Sequence, residues 1–128
     1  MKEVRIGILL IIVLFSVVNC EKDDDYDGEV TFYTNAQALL NCGQFDIYVY
    51  VDSEQVGILS QPLPILETDP QPNCGDPLTV TIKKKRGDYS YFAKGECANE
   101  NLSWEGDFQI MKDSCTRIFL DLTKITSN

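Results

Sequence analysis

Histidine is absent from this chain of 128 residues. Histidine is the usual general base of serine and cysteine nucleophile sites and the commonest metal ligand, so catalytic triads, Cys-His pairs and histidine metal sites are excluded. The candidate chemistry that remains is a pair of carboxylates, Glu105 and Asp107, which would share the solvent face of one strand. We therefore predict that the protein is not an enzyme and holds no cofactor or metal. A hydrolase using this pair is the alternative.

Positive charge is also scarce. Lys and Arg number 11 against 20 for Asp and Glu, and the formal net charge is −9. A nucleic-acid-binding surface needs a basic footprint, so we expect no nucleic-acid partner. Much of the acidic excess falls in residues 21–29, which leaves the rest of the chain only mildly acidic.

No apolar run reaches the roughly 20 residues that a transmembrane helix needs. The longest run, Ile6–Phe15, follows the basic residues Lys2 and Arg5 and precedes a short segment that ends at Asn19. This arrangement is typical of a secretory signal peptide, which we place at residues 1–19. An uncleaved membrane anchor is the alternative.

A single cysteine, Cys20, lies where the apolar run ends and a charged segment begins, in VVNCEKDDD. The stretch resembles a bacterial lipoprotein signal, in which the cysteine becomes the first residue of the mature chain and carries lipid. Lys22, Asp23 and Asp24 resemble the export signal that sends lipoproteins of the Bacteroidetes to the outer face of the outer membrane. The resemblance implies a membrane anchor through lipid on Cys20 and an acidic tether over residues 20–29. The periplasmic face is the alternative location.

The acidic segment has two other interpretations. It can be a solvated tail that no receptor recognises. Residues 23–28 also spell D-x-D-x-D-G, the start of a calcium-binding loop, but position 12 of such a loop is Thr34, where a bidentate Glu is needed. We therefore expect no calcium site.

The other four cysteines form an even set in a chain predicted to be exported: Cys42, Cys74, Cys97 and Cys115. No C-x-x-C pair occurs among them, which argues against a zinc site and favours two disulfides. Three pairings are possible. A simple meander of strands brings Cys42 and Cys74 to the same end of the sheet, which favours Cys42–Cys74 with Cys97–Cys115. The same meander leaves Cys97 and Cys115 at opposite ends.

Helical periodicity is scarce, and only residues 36–40 suggest a helical turn. Alternating apolar residues predict seven strands, at 30–34, 45–51, 56–59, 78–82, 89–94, 102–111 and 116–122. All five prolines fall within 60–77, which predicts a long loop because proline cannot donate to a strand ladder. The side chains predicted to face inward are Phe45, Ile47, Val49, Val51, Leu78, Val80, Ile82, Trp104, Phe108, Ile110, Ile118, Leu120 and Leu122. We expect Trp104 at the centre of the core.

Short strands joined by polar turns predict an all-β fold, an antiparallel β-sandwich over residues 30–128. Several motifs resemble small disulfide-stapled lipoproteins of the Bacteroidetes, in Cys42-Gly43, Pro72-Asn73-Cys74-Gly75, Gly87-x-Tyr89-x-Tyr91 and Trp104-x-Gly106. The hairpin Val49-Tyr50-Val51-Asp52 with Val56-Gly57 is similar to PEGA-type domains, which are surface sandwiches without catalytic residues. The resemblance implies an immunoglobulin-, transthyretin- or PEGA-like sandwich and supplies no functional residues.

Together these features predict a lipid-anchored, surface-exposed, non-enzymatic binding or accessory protein of the cell envelope. Its ligand would be an envelope protein or a glycan. The candidate contact residues are the aromatics Tyr26, Tyr33, Tyr48 and Tyr50. Tyr48 and Tyr50 are the candidate binding residues among them, since they share the face opposite Ile47 and Val49. The alternative is a disulfide-stapled inhibitor of a host or competitor protease or lysozyme, with the loop 60–77 as the inhibitory element.

Residues 83–88 combine two charged motifs. Arg86-Gly87-Asp88 spells an integrin-binding tripeptide, but Gly and Asp are ordinary residues of a hairpin turn, which is our interpretation. The run 83–86 suits either an anionic glycan or lipid head group or the charged edge of a strand.

Overall fold

The computed structural model describes residues 25–35, 42–64, 70–97 and 100–121. Within these ranges the chain forms seven strands: β1 Gly28–Tyr33, β2 Ile47–Val51, β3 Glu54–Leu59, β4 Val80–Lys84, β5 Gly87–Cys97, β6 Glu100–Ile110 and β7 Cys115–Phe119. They form a three-stranded sheet in the order β4-β1-β7 and a four-stranded sheet in the order β3-β2-β5-β6. The predicted all-β sandwich of seven short strands is confirmed.

The strands do not follow one another as a meander. Two hairpins, β2-β3 and β5-β6, lie within the four-stranded sheet, and the other four connections cross between the sheets. At the centre of the smaller sheet, β1 pairs antiparallel with β4 and parallel with β7, so this sheet is mixed and not, as predicted, wholly antiparallel. Residues 83–88 are therefore not a hairpin turn, because β4 and β5 belong to different sheets.

The disulfides join Cys42 to Cys97 and Cys74 to Cys115. The pairing favoured from a meander, Cys42–Cys74 with Cys97–Cys115, is therefore wrong. The crossing topology explains the difference: Ile47 pairs with Gly95, which brings the segment before β2 beside the end of β5. The start of β7 likewise lies beside the loop that precedes β4.

The core lies between the sheets and is centred on Phe32 of β1. This side chain is fully buried, and its ring meets Tyr91 and Phe108 edge-on, at centroid distances of 5.6 and 6.2 Å. Trp104 is only half-buried at the periphery, where its Nε1–H donates a hydrogen bond of 3.0 Å to the Asp121 carbonyl oxygen. The prediction that Trp104 is the core centre is wrong, because the indole N–H needs a polar partner that the rim of the sandwich supplies.

Most of the predicted inward positions are confirmed. The buried ones are Phe45, Ile47, Val49, Val51, Val80, Phe108, Ile110 and Leu120, and Ile82, Trp104 and Ile118 are half-buried. Leu78 is exposed, contrary to prediction, since β4 begins only at Val80 after a turn in which the Thr79 hydroxyl donates to the Asp76 carbonyl oxygen. Leu122 and residues 36–40 lie outside the described residues.

Candidate functional site

The chain itself covers the centre of the outer face of the three-stranded sheet. Thr31 faces away from the core at the centre of this sheet, yet it is 0% exposed. Its hydroxyl shares a hydrogen bond of 2.8 Å with the Thr81 hydroxyl, which also accepts the Gly75 N–H at 2.9 Å. Residues 70–79, which we call the covering loop, therefore lie over this face.

Arg117 of β7 and a disulfide hold the covering loop in place. The Arg117 guanidinium donates to the Pro72 carbonyl oxygen at 2.6 Å and to Asn73 Oδ1 at 3.2 Å. The Cys74–Cys115 disulfide joins the same loop to the start of β7. Loop 60–77 was predicted as an inhibitory element, and this part of it packs against the sheet instead of projecting from it.

The outer face of the four-stranded sheet is open. Tyr48 and Tyr50 of β2, Ile58 of β3 and Phe92 of β5 lie side by side on it, and we call them the outer patch. Tyr48 is 37% exposed, Ile58 47% and Phe92 40%, while Tyr50 is half-buried. The pairs Tyr48–Ile58 and Tyr50–Phe92 are directly opposite across neighbouring strands, so the patch is continuous.

Contacts within the patch fix its central ring. The rings of Tyr50 and Phe92 are 6.1 Å apart, and the Lys94 ammonium lies 5.5 Å from the Tyr50 ring centroid. A cation in that position is attracted to the aromatic ring. Tyr50 is therefore held on two sides, while Tyr48, Ile58 and Phe92 present their surface to solvent.

The structure brings together two side chains predicted from sequence and two that were missed. Tyr48 and Tyr50 share the face opposite Ile47 and Val49, as predicted, although their role in binding stays a prediction. Tyr26 is exposed, but Tyr33 is buried, so the expectation that Tyr33 is a contact residue is wrong. Phe92 and Ile58 were missed. The sequence could have placed Phe92 on the outer face. Tyr89, Tyr91 and Ala93 alternate on the inner face of β5, so position 92 faces the other way.

A surface cleft of about 730 Å³ adjoins the outer patch at the end of the sheet that carries the Cys42–Cys97 disulfide. Its walls come from the segment that enters β2 and from the facing ends of β5 and β6, including Tyr48, Lys94 and Asn101. Tyr48 thus contributes to both the patch and the cleft, and Lys94 of the cleft contacts the patch residue Tyr50. Sequence reasoning did not identify this cleft.

The two carboxylates considered for hydrolysis lie on the same outer face. Glu105 is directly opposite Phe92, and Asp107 Oδ1 accepts a hydrogen bond of 2.8 Å from the Ser90 hydroxyl. Both side chains are exposed, as expected. Within the described residues, no group of three or more cysteine, aspartate or glutamate side chains could hold a metal ion.

The basic crossover between β4 and β5 is paired with the acidic segment before β1. Lys85 Nζ lies 3.0 Å from Asp25 Oδ2, and Arg86 contacts the Asp27 carboxylate through its side chain at 3.8 Å and its backbone N–H at 2.9 Å. The hydrogen bond and charge of Asp25 raise the pKa of Lys85. Arg86, the first residue of the Arg-Gly-Asp tripeptide, is therefore engaged within the domain.

The lipidation and export residues Cys20, Lys22, Asp23 and Asp24 lie outside the described residues. In the part of the chain that the structure describes, no helix is long and apolar enough to cross a membrane. No protein-family model matches the chain, and no curated protein or solved structure was found to be similar to it.

Proposed function

We propose that the protein is a lipid-anchored, surface-exposed, non-enzymatic binding or accessory protein of the cell envelope, and that the outer patch docks a protein partner. One observation carries the proposal. The chain covers the centre of one outer face with its own loop and leaves only Phe119, at 36% exposure, open at its β7 edge among the described residues' large apolar side chains there. On the other sheet Tyr48, Ile58 and Phe92 are exposed together. Adjacent exposed apolar side chains of this kind are a feature of interaction surfaces.

The composition of the patch supports a protein as its occupant. The centres of protein interfaces are enriched in aromatic side chains and surrounded by a polar rim. Phe92 and Ile58 supply exposed hydrocarbon surface with no hydrogen-bonding group, and Lys94 and Glu105 place one charge of each sign beside it. A partner with an apolar centre and its own charged rim would complement this surface.

Lipid on Cys20 would hold the domain at the membrane. The described part of the domain already begins at Asp25, whose carboxylate pairs with Lys85. Five peptide units separate Cys20 from Asp25, a span of at most roughly 18 Å. The domain would therefore lie close to the membrane surface, within reach of other proteins of the same membrane. Metabolic labelling with a fatty acid tests the anchor: we expect the label in the wild-type chain and none in Cys20→Ser.

Position-specific photo-crosslinking on intact cells tests the docking surface. A photoreactive amino acid is placed at Ile58 inside the outer patch or at Met111, which is 60% exposed but lies in the β6–β7 connection. We expect one envelope protein to be crosslinked from position 58 and not from position 111. The same product should disappear when Phe92→Ser is added.

The outcomes of this experiment separate the alternatives. A product that forms equally from both positions, or that survives Phe92→Ser, would contradict docking through the patch. Absence of any protein product, with the chain still accessible to a membrane-impermeant label, would contradict a protein partner. Inhibition assays with proteases and lysozymes would then test the stapled-inhibitor alternative.

A further inference from the structure

The cleft beside the outer patch has walls fixed by covalent and hydrogen-bonded structure. The Cys42–Cys97 disulfide ties the segment entering β2 to the end of β5, two residues before Gln44 and one residue after Glu96. The Ser60 hydroxyl donates a hydrogen bond of 2.7 Å to Asp46 Oδ1. This bond orients the Asp46 side chain, which is part of the wall. A volume of about 730 Å³ lies inside the range of roughly 300–1,000 Å³ that is usual for small-molecule sites.

The lining combines one aromatic ring with many hydrogen-bonding groups. Amides come from Gln44 and Asn101, hydroxyls from Tyr48 and Ser103, and apolar surface from Leu102. Side-chain amides and hydroxyls both donate and accept hydrogen bonds. The cross-strand pairing of Tyr48 with Lys94, and of Lys94 with Ser103, sets these groups in one row across three strands.

We infer that this cleft binds a neutral oligosaccharide. A sugar ring presents hydroxyl groups, which match the amides and hydroxyls of the walls, and C–H faces, which pack on the electron-rich face of an aromatic ring. Tyr48 is the aromatic residue exposed in the cleft, and Gln44, Asn101 and Ser103 supply the hydrogen bonds.

The charges of the lining argue against an anionic ligand. Asp46 and Glu96 oppose a phosphate, sulfate or uronate group, and the single cation, Lys94, offsets only one of the two carboxylates. The many polar groups of the walls argue against a purely hydrocarbon ligand, because each of them would lose its water without gaining a partner. A neutral compound with many hydroxyls satisfies both conditions.

The inference is independent of the protein partner proposed for the outer patch. The cleft lies at one end of the sheet, and Phe92 and Ile58 are not part of its lining. A saccharide in the cleft and a protein on the patch would each contact Tyr48. Variants that test one site without the other must therefore change residues found in only one of them, such as Ser103 for the cleft or Phe92 for the patch.

Calorimetric titration with neutral trisaccharides tests the inference. The probes are cellotriose, maltotriose, xylotriose, mannotriose and chitotriose, at millimolar concentration, with an arginine-rich peptide as the charged comparator. We expect at least one trisaccharide to bind, with an affinity lowered about tenfold or more by Tyr48→Ala. Asn101→Ala with Ser103→Ala should lower it similarly without altering Tyr48.

Tyr50→Ala is the matched control, because Tyr50 is the same residue type on the same face of β2 but outside the cleft. It should leave saccharide binding unchanged, and thermal unfolding should show that each variant is folded. Absence of binding to all five trisaccharides, or equal losses in Tyr48→Ala and Tyr50→Ala, would overturn the inference. So would binding of the arginine-rich peptide alone. None of these results depends on the crosslinking experiment.

Discussion

The central strands of the two sheets, β1 and β2, have opposite environments on their outer faces. Five of the six residues of β1 are buried, including Thr31, which points away from the core. Along β2 buried residues alternate with the more exposed Tyr48 and Tyr50. The buried side chains of β1 are inaccessible to a partner, whereas Tyr48 and Tyr50 of β2 face solvent.

The lengths of two connections, β2 to β3 and β3 to β4, explain this difference. β2 returns into β3 through Asp52 and Ser53, both in the left-handed region, with φ values of 47° and 69°. A two-residue turn of this kind is too short to fold back over a sheet. The connection from β3 to β4 is long and rich in proline, and its last part forms the covering loop.

The largest expected difference in stability is between two variants that place a charge on the two outer faces. Thr31→Lys introduces a bulky ammonium group beneath the covering loop at a position that is 0% exposed, so we expect a loss of about 3–5 kcal/mol in the free energy of unfolding. Tyr48→Lys introduces the same group on the open face and should change it by less than about 1 kcal/mol. Urea unfolding of both variants measures the difference.

Thr31→Ala is the control for loss of the threonine hydroxyl. It removes the hydrogen bond to Thr81 without adding charge, and it should cost about 1 kcal/mol. Similar losses for Thr31→Lys and Tyr48→Lys would show that the covering loop does not seal the outer face of β1.

The two disulfides provide the second comparison. They close segments of 55 and 41 residues, so loop entropy alone makes Cys42–Cys97 more stabilising by only about 0.3 kcal/mol. We expect each double alanine variant to lose about 2–4 kcal/mol, with the greater loss for Cys74→Ala/Cys115→Ala, because it also releases the covering loop.

Hydrogen exchange distinguishes the cause. The Gly75 N–H, which donates to Thr81, should exchange much faster in Cys74→Ala/Cys115→Ala than in Cys42→Ala/Cys97→Ala. A greater loss of stability in Cys42→Ala/Cys97→Ala would mean that the entropy of the longer closed segment outweighs the covering of β1.

Local patterns in the sequence predicted the elements of this fold but not their arrangement. All seven strands were found, because the alternation of residues such as Phe45, Ile47 and Val49 depends only on near neighbours. The crossings between sheets, the parallel pairing of β1 with β7 and the disulfide pairs depend on contacts between distant segments. No local pattern in the chain encodes these contacts.

The same division applies to the candidate sites. Tyr48 and Tyr50 were identifiable because alternation on one strand fixes their face. The outer patch also needs Ile58 and Phe92 from neighbouring strands, and the cleft needs the ends of β2, β5 and β6 to meet at the Cys42–Cys97 disulfide. Such sites depend on the register between strands, which could not be predicted from local sequence patterns.

Arg117 tests the contrast between the two outer faces through a smaller loss of stability. Arg117→Met removes the hydrogen bonds to the Pro72 carbonyl oxygen and to Asn73 Oδ1 but keeps a long apolar side chain. Because Arg117 is exposed, we expect a loss of only about 1–2 kcal/mol, measured by thermal or urea unfolding. Arg117→Lys keeps the charge but not the paired geometry, so it should recover only part of the loss.

A matched variant on the open sheet checks this explanation. Lys94→Met removes a cation that lies over the Tyr50 ring, and it should cost less than Arg117→Met because no backbone segment depends on it. If Arg117→Met were as mild as Lys94→Met, the covering loop would be held by its disulfide and by the Gly75–Thr81 hydrogen bond without help from Arg117.

The smallest expected effect is a dependence of stability on alkaline pH. Tyr33 lies on the covered outer face, 5.4 Å from the Phe119 ring, and its burial raises the phenol pKa above the ordinary value of 10.0, with the charge of Arg117 opposing the rise. The unfolded chain therefore loses this proton first, so the folded state is disfavoured as pH rises above about 10. Tyr33→Phe should reduce that alkaline loss and leave stability near neutral pH little changed. Urea unfolding across this range measures it, and an unchanged alkaline slope in Tyr33→Phe would indicate that the outer face of β1 admits water at this position.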